Sequence, residues 1–314
     1  MSSTVGNLPE ENNGKSPRRS PVGRHLPTSG GLSGTLEKAE AQGCEAFQIF
    51  VSNPQGWAEA APRPDALEFR SGVWRLGISP VVVHAKYLIN LAATDPSQYE
   101  KSVRTLASEM LAAGALGAEV VVVHSGSHGK DTPENGEERL VRGLQAARET
   151  AELGVEEARE VFGYGDLVPA EAVVENSCGA GTQLLSDLDS LSRVLRRADA
   201  RCCLDTAHAF VAGYDISRPE SAGRFAASVR EKLSDRVAVI HFNDARNELG
   251  SHRDGHARIG EGQVPVEAWP EFLGGVRGVP VVMETPYDTP EVDAEQVGIA
   301  KKLAGGLRLE RGRI

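Results

Sequence analysis

Residues 98–128, "QYEKSVRTLASEMLAAGALGAEVVVVHSGSH", join a helical pattern to a run of β-branched residues. In the first part of this stretch, one helical face carries the apolar residues Val103, Leu106, Met110 and Leu111. This period predicts an amphipathic helix. The run that follows, Glu119–His124, has the length of a buried strand and ends at a histidine. A helix that leads directly into an apolar strand is typical of a parallel sheet covered by helices.

Seven further runs of the same kind alternate with segments of helical period. In residues 182–198, "TQLLSDLDSLSRVLRRA", one helical face carries Leu184, Leu185, Leu188, Leu191 and Leu195. The eight runs are Val22–Leu26, Phe47–Val51, Pro80–His84, Glu119–His124, Glu171–Glu175, Arg201–Asp205, Val237–His241 and Val279–Glu284. Eight strand–helix units in 314 residues predict a single-domain α/β protein with a closed (β/α)8 TIM barrel rather than an open doubly wound sheet. Neither a GxGxxG motif nor a Walker A motif occurs to indicate a nucleotide-binding fold.

The N-terminal segment differs in composition from the rest of the chain. Residues 1–20, "MSSTVGNLPEENNGKSPRRS", are polar and offer no apolar surface to bury, so we predict a disordered leader there and the barrel domain at 21–314. The chain has no uncharged apolar run long enough to span a bilayer and no secretory signal pattern. We therefore expect a cytoplasmic protein without a membrane partner.

Cysteine content and net charge limit the chemistry. Cys44, Cys178, Cys202 and Cys203 lie in or beside apolar runs without CxxC spacing, so we expect buried reduced thiols rather than disulfides or a thiolate zinc site. The formal net charge of −10 argues against a nucleic-acid partner, because phosphate binding depends on Lys and Arg. That objection weakens if several acids are metal ligands, since bound divalent cations reverse the sign of the local field.

Potential metal ligands stand at the ends of six successive predicted strands. They are His84, His124, Glu175, Asp205, His241 and Glu284. His208 follows Asp205 by three residues, and Asp254 and His256 lie in the loop after the seventh strand. Because all C-terminal strand ends of a parallel barrel lie on one face, we expect these nine side chains to converge there.

The nine residues comprise five histidines and four carboxylates, with no thiolate. This mixture suits Zn²⁺ or Mn²⁺, and nine ligands are too many for one tetrahedral ion, so a multinuclear site is predicted. Taken singly, a strand-end histidine is often a hydrogen-bonded core residue, Glu175 or Glu284 could form an ion pair, and Asp205 could cap a helix with His208 exposed. Without metal, however, the clustered like charges would each cost on the order of 1 kcal/mol or more.

Seven segments resemble, in order, the endonuclease IV (deoxyribonuclease IV) family, the trinuclear zinc apurinic/apyrimidinic endonucleases of DNA repair. They are "SGGL" at 29–32, "HAKYLINLA" at 84–92, "VVVHSGSH" at 121–128, "VVENSCGAGT" at 173–182, "CLDTAHAFVAGYD" at 203–215, "HFNDARNELGSHRDGHARIGEG" at 241–262 and "METP" at 283–286. Together they span nearly the whole chain after the leader. No single segment is specific for the family, but the seven segments in this order are.

The resemblance implies three Zn²⁺ ions per chain, with one position that can also take Mn²⁺. The implied ligands are His84 and His124 for the first ion, Glu175 as the bridge to the second, Asp205, His241 and Glu284 for the second, and His208, Asp254 and His256 for the third. All nine positions hold the residue types of the family. Asp205 and His208 would thus serve two different ions from either end of one turn.

The resemblance also implies an activity and a substrate. The enzyme would hydrolyse the phosphodiester 5′ to an abasic site in double-stranded DNA, leave a 3′-hydroxyl and a 5′-deoxyribose phosphate, and remove 3′-blocking groups. A zinc-bound hydroxide would be the nucleophile, with Glu175 and Glu284 as the catalytic carboxylates. Tyr87 matches the family's stacking tyrosine, and Gln55 lies where an inserted arginine is common. We expect a monomer.

Two positions depart from the family pattern. Gln55 in "NPQGW" can fill space but cannot offer charge to a phosphate. Gly255 replaces a residue that is often basic, and together with the net charge of −10 this predicts weaker non-specific DNA binding. His25 aligns with a family histidine that is not counted among the ligands. His128 and His252 are additional imidazoles that we expect to lie outside the ligand set.

Two other functions are compatible with such a barrel. A metal-dependent sugar isomerase or epimerase uses the same fold, so the fold alone does not distinguish it from a nuclease. The five histidines and the Asp254/His256 pair favour three ions and a phosphate substrate over an isomerase. A DNA-damage binder that keeps the site without catalysis is the third possibility, and the intact ligand set argues against it.

Overall fold

Eight parallel strands close into a barrel and follow one another around it in chain order. The computed structural model describes residues 19–61 and 63–308, so the predicted leader lies outside the described residues except for Arg19 and Ser20. The barrel strands are β1 (Val22–His25), β2 (Ala46–Ile49), β3 (Val81–His84), β4 (Val120–His124), β5 (Glu171–Glu175), β6 (Cys202–Asp205), β7 (Val237–His241) and β10 (Val281–Met283). An antiparallel ribbon, β8 (Asp244–Ala245) and β9 (His256–Ala257), is inserted after β7. The predicted TIM barrel is confirmed.

Helices cover the outside of the barrel. They are α1 (Gly31–Ala41), α2 (Ala66–Leu76), α3 (Pro96–Ala115), α4 (Pro133–Leu153), α5 (Val155–Phe162), α6 (Leu188–Ala198), α7 (Thr206–Val211), α8 (Pro219–Leu233), α9 (Trp269–Gly275) and α10 (Pro290–Ala304). Among the described helices, none is both long and apolar enough to cross a membrane.

The core has two layers. Small side chains fill the barrel interior, namely Val82, Val120, Val122, Val173, Cys203, Val239 and Val282. A larger apolar layer lies between the strands and the helices. β-branched residues suit both layers because each barrel strand is buried on its two faces. The four cysteines are free and buried, as predicted.

The predicted helix at residues 98–117 corresponds to α3. The Asp95 side chain caps it by accepting from Gln98 N at 2.8 Å, and Val103, Leu106 and Met110 are buried. This prediction is confirmed.

The helix predicted within residues 182–198 begins later than its leucine pattern indicates. α6 starts at Leu188, after Asp187, whose carboxylate accepts from the backbone N–H groups of Asp189 and Ser190. Leu185 has a φ of 61°, in the left-handed region, and the Leu184 carbonyl accepts the hydroxyls of Ser125 and Ser177. Including Leu184 and Leu185 in the helix was wrong. Both leucines are apolar because their side chains are buried, although their backbone is not helical.

Candidate metal centre

The strand ends bring the nine predicted ligands to one mouth of the barrel. His124 on β4 is in register with Glu175 on β5, and Asp205 on β6 with His241 on β7. Glu284 lies one residue beyond β10. The mouth opens into a cavity of about 760 Å³ whose lining includes His84, His124, Glu175, His208, Asp254, His256 and Glu284. Asp205 and His241 lie deeper, with no exposed surface.

A first group of ligand atoms surrounds one oxygen of Glu175. Its Oε2 atom lies 3.6 Å from His84 Nε2 and 3.5 Å from His124 Nε2. These three residues form one of the clusters in which ligand atoms lie within 4.8 Å of one another. They are the residues that the resemblance assigns to the first ion.

The other oxygen of Glu175 belongs to a second group. Glu175 Oε1 lies 3.0 Å from His241 Nδ1, which is 3.2 Å from Glu284 Oε2 and 4.0 Å from Asp205 Oδ2. All four residues fall in one cluster. Glu175 therefore faces two groups at once, as a bridging carboxylate must.

A third group lies on the side of the ribbon. Asp254 Oδ1 is 3.3 Å from His208 Nε2 and 3.6 Å from His256 Nε2. His256 Nε2 is also 3.5 Å from Asp205 Oδ2, and the cluster formed here contains Asp205, His208 and His256. Asp205 therefore lies between the second and third groups.

The separations within the groups fit tetrahedral coordination. Ligand atoms at about 2.0–2.2 Å from a tetrahedral zinc ion lie about 3.3–3.6 Å from one another. The pairs His84–Glu175, His124–Glu175 and His208–Asp254 have separations of 3.6, 3.5 and 3.3 Å. The donor set is nitrogen and oxygen, which zinc accepts in this geometry.

In four of the histidines, the ring nitrogen that points away from the ligand cluster makes a hydrogen bond, which orients the ring. His84 Nδ1 lies 2.7 Å from Ala85 O, His208 Nδ1 2.9 Å from Asn176 O, and His241 Nε2 2.9 Å from Gln48 Oε1. His256 Nδ1 makes a longer contact, 3.4 Å, with Glu284 O. Since each acceptor takes a proton from the ring, the other ring nitrogen points into the cluster, where it offers a lone pair to a metal ion once it is deprotonated. Metal-binding histidines are held in this way.

Two buried polar atoms at the centre lack hydrogen-bond partners within the described part of the chain. They are Glu175 Oε2 and His256 Nε2. A buried polar atom without a partner costs about 1–3 kcal/mol, and so native proteins rarely keep one without a reason. Both atoms face other ligand atoms, where a cation would satisfy them. The residues therefore fit a metal centre.

The two central carboxylates are anionic near neutral pH. Burial opposes ionisation of Glu175 and Glu284, but the charge of His241 outweighs it and holds the pKa of each carboxyl well below its usual range. Metal binding requires this deprotonated form.

Asp205 has two roles at once. Its Oδ1 atom caps α7 by accepting from His208 N at 2.7 Å, while Oδ2 faces the ligand groups and accepts from Asn243 Nδ2 at 2.6 Å. The helix-cap explanation is thus correct for Asp205. It is wrong for His208, which is buried rather than exposed because α7 turns the ring inward.

The ribbon returns the chain after β7 to the mouth. Ala245 on β8 pairs with His256 on β9, which places the imidazole over the barrel. Buried Asp244 fixes the following turn by accepting from the backbone N–H groups of Gly260, Gly262 and Val264. A Cβ at Gly262 would lie 2.4 Å from Asp244 Oδ1, so glycine is needed there.

Four residues near the centre were missed in the sequence: Gln48, Asn176, Asn243 and Cys203. Asn176 Oδ1 accepts from Asp205 N at 2.6 Å, and Asn243 Oδ1 accepts from Glu284 N at 2.7 Å. Cys203 lies against Glu175 and His241, but burial raises the pKa of its thiol to about 12, so it stays protonated. An amide after each of the strands β5 and β7 was the available signal, whereas Gln48 within an apolar run offered none.

The two predicted DNA-binding residues and the two additional histidines lie around this centre. Tyr87 is 52% exposed at the cavity rim, and its ring stacks on His124 with centroids 5.7 Å apart. Gln55 is exposed in the loop after β2. His128 Nδ1 contacts Asp131 O, His252 Nδ1 contacts Cys178 O, and neither histidine is in a ligand cluster of the described chain.

A buried ion pair connects the two loops that carry Gln55 and Tyr87. Lys86 Nζ lies 3.6 Å from Glu109 Oε1 and donates to Asn53 O at 3.0 Å, and both charged side chains are 1% exposed. The Ser52 hydroxyl and Lys86 N also donate to the Glu109 carboxylate. The network holds the loops after β2 and β3 against α3.

We expect Lys86→Met to lower the free energy of unfolding by about 3 kcal/mol, because the buried Glu109 carboxyl must then either hold an unpaired charge or take up a proton. The double variant Lys86→Met/Glu109→Gln should recover most of this loss, since the amide carbonyl still accepts from Ser52. Denaturant unfolding of the three proteins measures both effects. A double variant as unstable as the single one would contradict the role of the pair.

Comparison with known proteins shows the family of the chain. A family model described as the xylose isomerase-like TIM barrel matches residues 36–307. The "Probable endonuclease 4" of Methanoculleus marisnigri is 34% identical over 292 residues, which cover 90% of this chain and 99% of that protein. The chain belongs to the endonuclease IV family. The crystal structure of endonuclease IV from Thermus thermophilus superposes with a TM-score of 0.77 at 31% identity, covering 91% of this chain and 99% of that one.

Solved structures of lower identity have the same fold as this endonuclease IV family member. A D-tagatose 3-epimerase-like protein has a TM-score of 0.61 at 19% identity, over 91% of this chain and 97% of that one. Likeness at this identity shows the barrel and nothing about the reaction.

Proposed function

We propose that the protein is a DNA repair endonuclease that hydrolyses the phosphodiester 5′ to apurinic/apyrimidinic sites in double-stranded DNA. The products are a 3′-hydroxyl and a 5′-deoxyribose phosphate. The observation that carries this proposal is the convergence of nine His, Asp and Glu side chains into three adjoining groups at one barrel mouth. Membership of the endonuclease IV family supports it.

The proposed cofactor is three Zn²⁺ ions per chain, with Mn²⁺ able to replace zinc at one position. His84, His124 and Glu175 would hold the first ion. Glu175, Asp205, His241 and Glu284 would hold the second, and His208, Asp254 and His256 the third. When bound, such ions lower the pKa of water and neutralise charge on phosphoryl oxygens.

The chain's own carboxylates supply proton transfer and orientation. Glu284 lines the cavity, and its Oε1 and Oε2 atoms are fixed by Gln48 Nε2 at 2.6 Å and His241 Nδ1 at 3.2 Å. It is ionised near neutral pH, so it would be free to accept the proton of an attacking water. Glu175, with one oxygen toward each of two groups, would position the reacting atoms between them.

The cavity rim would bind the DNA. Tyr87 presents an exposed ring on which a base or sugar can stack. Gln55 would fill space in the duplex without supplying charge. The proposed substrate is an abasic nucleotide flipped out of the stack. Removal of 3′-blocking groups would use the same site.

An incision assay tests the proposal directly. The substrate is a duplex with one tetrahydrofuran abasic analogue, and an aldose–ketose isomerisation assay runs beside it with the same protein. We expect cutting 5′ to the analogue, no cutting of the intact duplex and no sugar turnover. Turnover of sugars alone would contradict the proposal and favour an isomerase.

A further inference from the structure

His25 ends β1 at the mouth of the barrel but is not one of the nine ligands. Its ring packs on Phe50, with centroids 4.6 Å apart, and lines the same cavity as the metal centre. His25 Nδ1 lies 4.0 Å from Glu284 Oε1. The imidazole is therefore next to the carboxylate that would accept the proton of the attacking water.

The amide of Gln48 fixes which nitrogen of His25 carries the proton. Gln48 Nε2 lies 2.6 Å from Glu284 Oε1 and 3.0 Å from His25 Nδ1, and Gln48 Oε1 lies 2.9 Å from His241 Nε2. Turning the amide over would bring its oxygen to within hydrogen-bonding distance of an ionised carboxylate oxygen, where neither atom has a proton to share. The amide nitrogen therefore donates to His25 Nδ1, and the proton of the neutral ring is on Nε2.

The Nε2–H group of His25 has no hydrogen-bond acceptor among residues 19–61 and 63–308. Its side chain is only 13% exposed, and the surface that remains faces the cavity. A donor that is oriented by a buried amide and left unpaired in a cavity is available to a ligand with an acceptor atom.

We propose that His25 is a substrate-binding residue that donates a hydrogen bond from Nε2 to a non-bridging oxygen of the phosphodiester to be cut. This inference rests on the proposed function. A neutral donor suits this position because an additional cation would be repelled by the bound metal ions, whereas an imidazole N–H contributes no net charge. The other side chains on this wall include Glu284, which is an acceptor and would repel the phosphate on its own.

The first test compares two substitutions of His25. His25→Phe keeps the ring against Phe50 but removes the donor, and we expect kcat/KM for incision to fall roughly 10- to 100-fold, as for a hydrogen bond to a charged group. His25→Gln has an amide nitrogen that can extend toward the position of Nε2, so it should recover a large part of the loss. Zinc content and thermal stability should match the wild type in both variants. Equal losses in the two variants would contradict the role of the donor.

The second test locates the contact with stereopure phosphorothioates at the linkage 5′ to a tetrahydrofuran analogue. Sulfur accepts hydrogen bonds poorly, so replacing the contacted oxygen should slow the wild type more than it slows His25→Phe. For one diastereomer, we expect the ratio of kcat/KM on the oxygen substrate to kcat/KM on the sulfur substrate to be about 10-fold smaller in His25→Phe than in the wild type. This comparison is a double-mutant cycle between the side chain and the substrate. Ratios that are equal in both proteins for both diastereomers would overturn this inference alone. A wild type that leaves the oxygen duplex uncut would overturn the proposed function, and this inference with it.

Discussion

Glu284→Gln is expected to lower kcat for incision at a tetrahydrofuran site by roughly 100- to 10,000-fold, the range for loss of a general base. The amide keeps the size of the carboxylate and an oxygen that can still accept from Gln48 Nε2, which is 2.6 Å from Glu284 Oε1 in the native protein. It cannot accept a proton from water, because an amide oxygen is far less basic than a carboxylate. Binding of the lesion duplex should remain measurable, because the exposed ring of Tyr87 at the cavity rim is unchanged.

The matched control for this substitution is Glu291→Gln. Glu291 is an exposed acid in the first turn of α10, so its replacement removes the same charge away from the cavity. Single-turnover incision and fluorescence anisotropy on the same lesion duplex separate cutting from binding. Wild-type cutting by Glu284→Gln, or equal losses in both variants, would contradict the role assigned to Glu284.

Glu175→Gln is expected to reduce both metal content and activity. Glu175 Oε2 faces His84 and His124 at 3.6 and 3.5 Å, and Oε1 faces His241 at 3.0 Å. The substitution removes a charge shared by two groups and replaces one ligand oxygen with an amide nitrogen, which does not coordinate zinc. Incision should fall by roughly 1,000-fold or more, since each ion is worth several kcal/mol of charge stabilisation. Bound zinc should fall by at least about one ion per chain.

Glu171→Gln on the same strand is the control for Glu175→Gln. Glu171 begins β5 at the opposite end of the barrel, where its carboxylate pairs with Arg201. Elemental analysis and incision rates should be close to those of the wild type. If Glu175→Gln retains all its zinc, then the carboxylate is not a bridge between two ions.

Much of the fold follows from the sequence because each barrel strand is buried on both faces. Uninterrupted β-branched runs such as Val120–His124 and Val237–His241 have no alternation of polar residues, so their position is clear. Their boundaries are less clear. The run at 47–51 corresponds to β2, Ala46–Ile49, and the run at 279–284 to β10, Val281–Met283. Apolar residues lie outside the strands, after β2 in the first case and before β10 in the second.

The position of a ligand in the candidate site can be predicted from the sequence when that ligand is the last residue of a strand. His84, His124, Glu175, Asp205 and His241 are the last residues of their strands, and the topology alone brings them together. Asp254 and His256 were expected at the mouth from their place in the loop after the seventh strand, but the sequence did not predict the ribbon that positions them.

The contacts that Gln48 makes with the site could not be predicted. Gln48 contacts His25, His241 and Glu284, which are distant from it along the chain. Nothing in the run "AFQIF" distinguishes a glutamine that faces the barrel mouth from one at a strand edge. Such pairings depend on side-chain orientation within a closed barrel, which is set by tertiary packing rather than by local pattern.

Zinc content of the purified protein at neutral pH tests the central claim most directly. Elemental analysis should find about three zinc ions per chain, lost to a strong chelator together with incision and recovered with it when zinc is restored. One ion per chain, or magnesium in place of zinc, would contradict a three-ion centre built from these nine side chains.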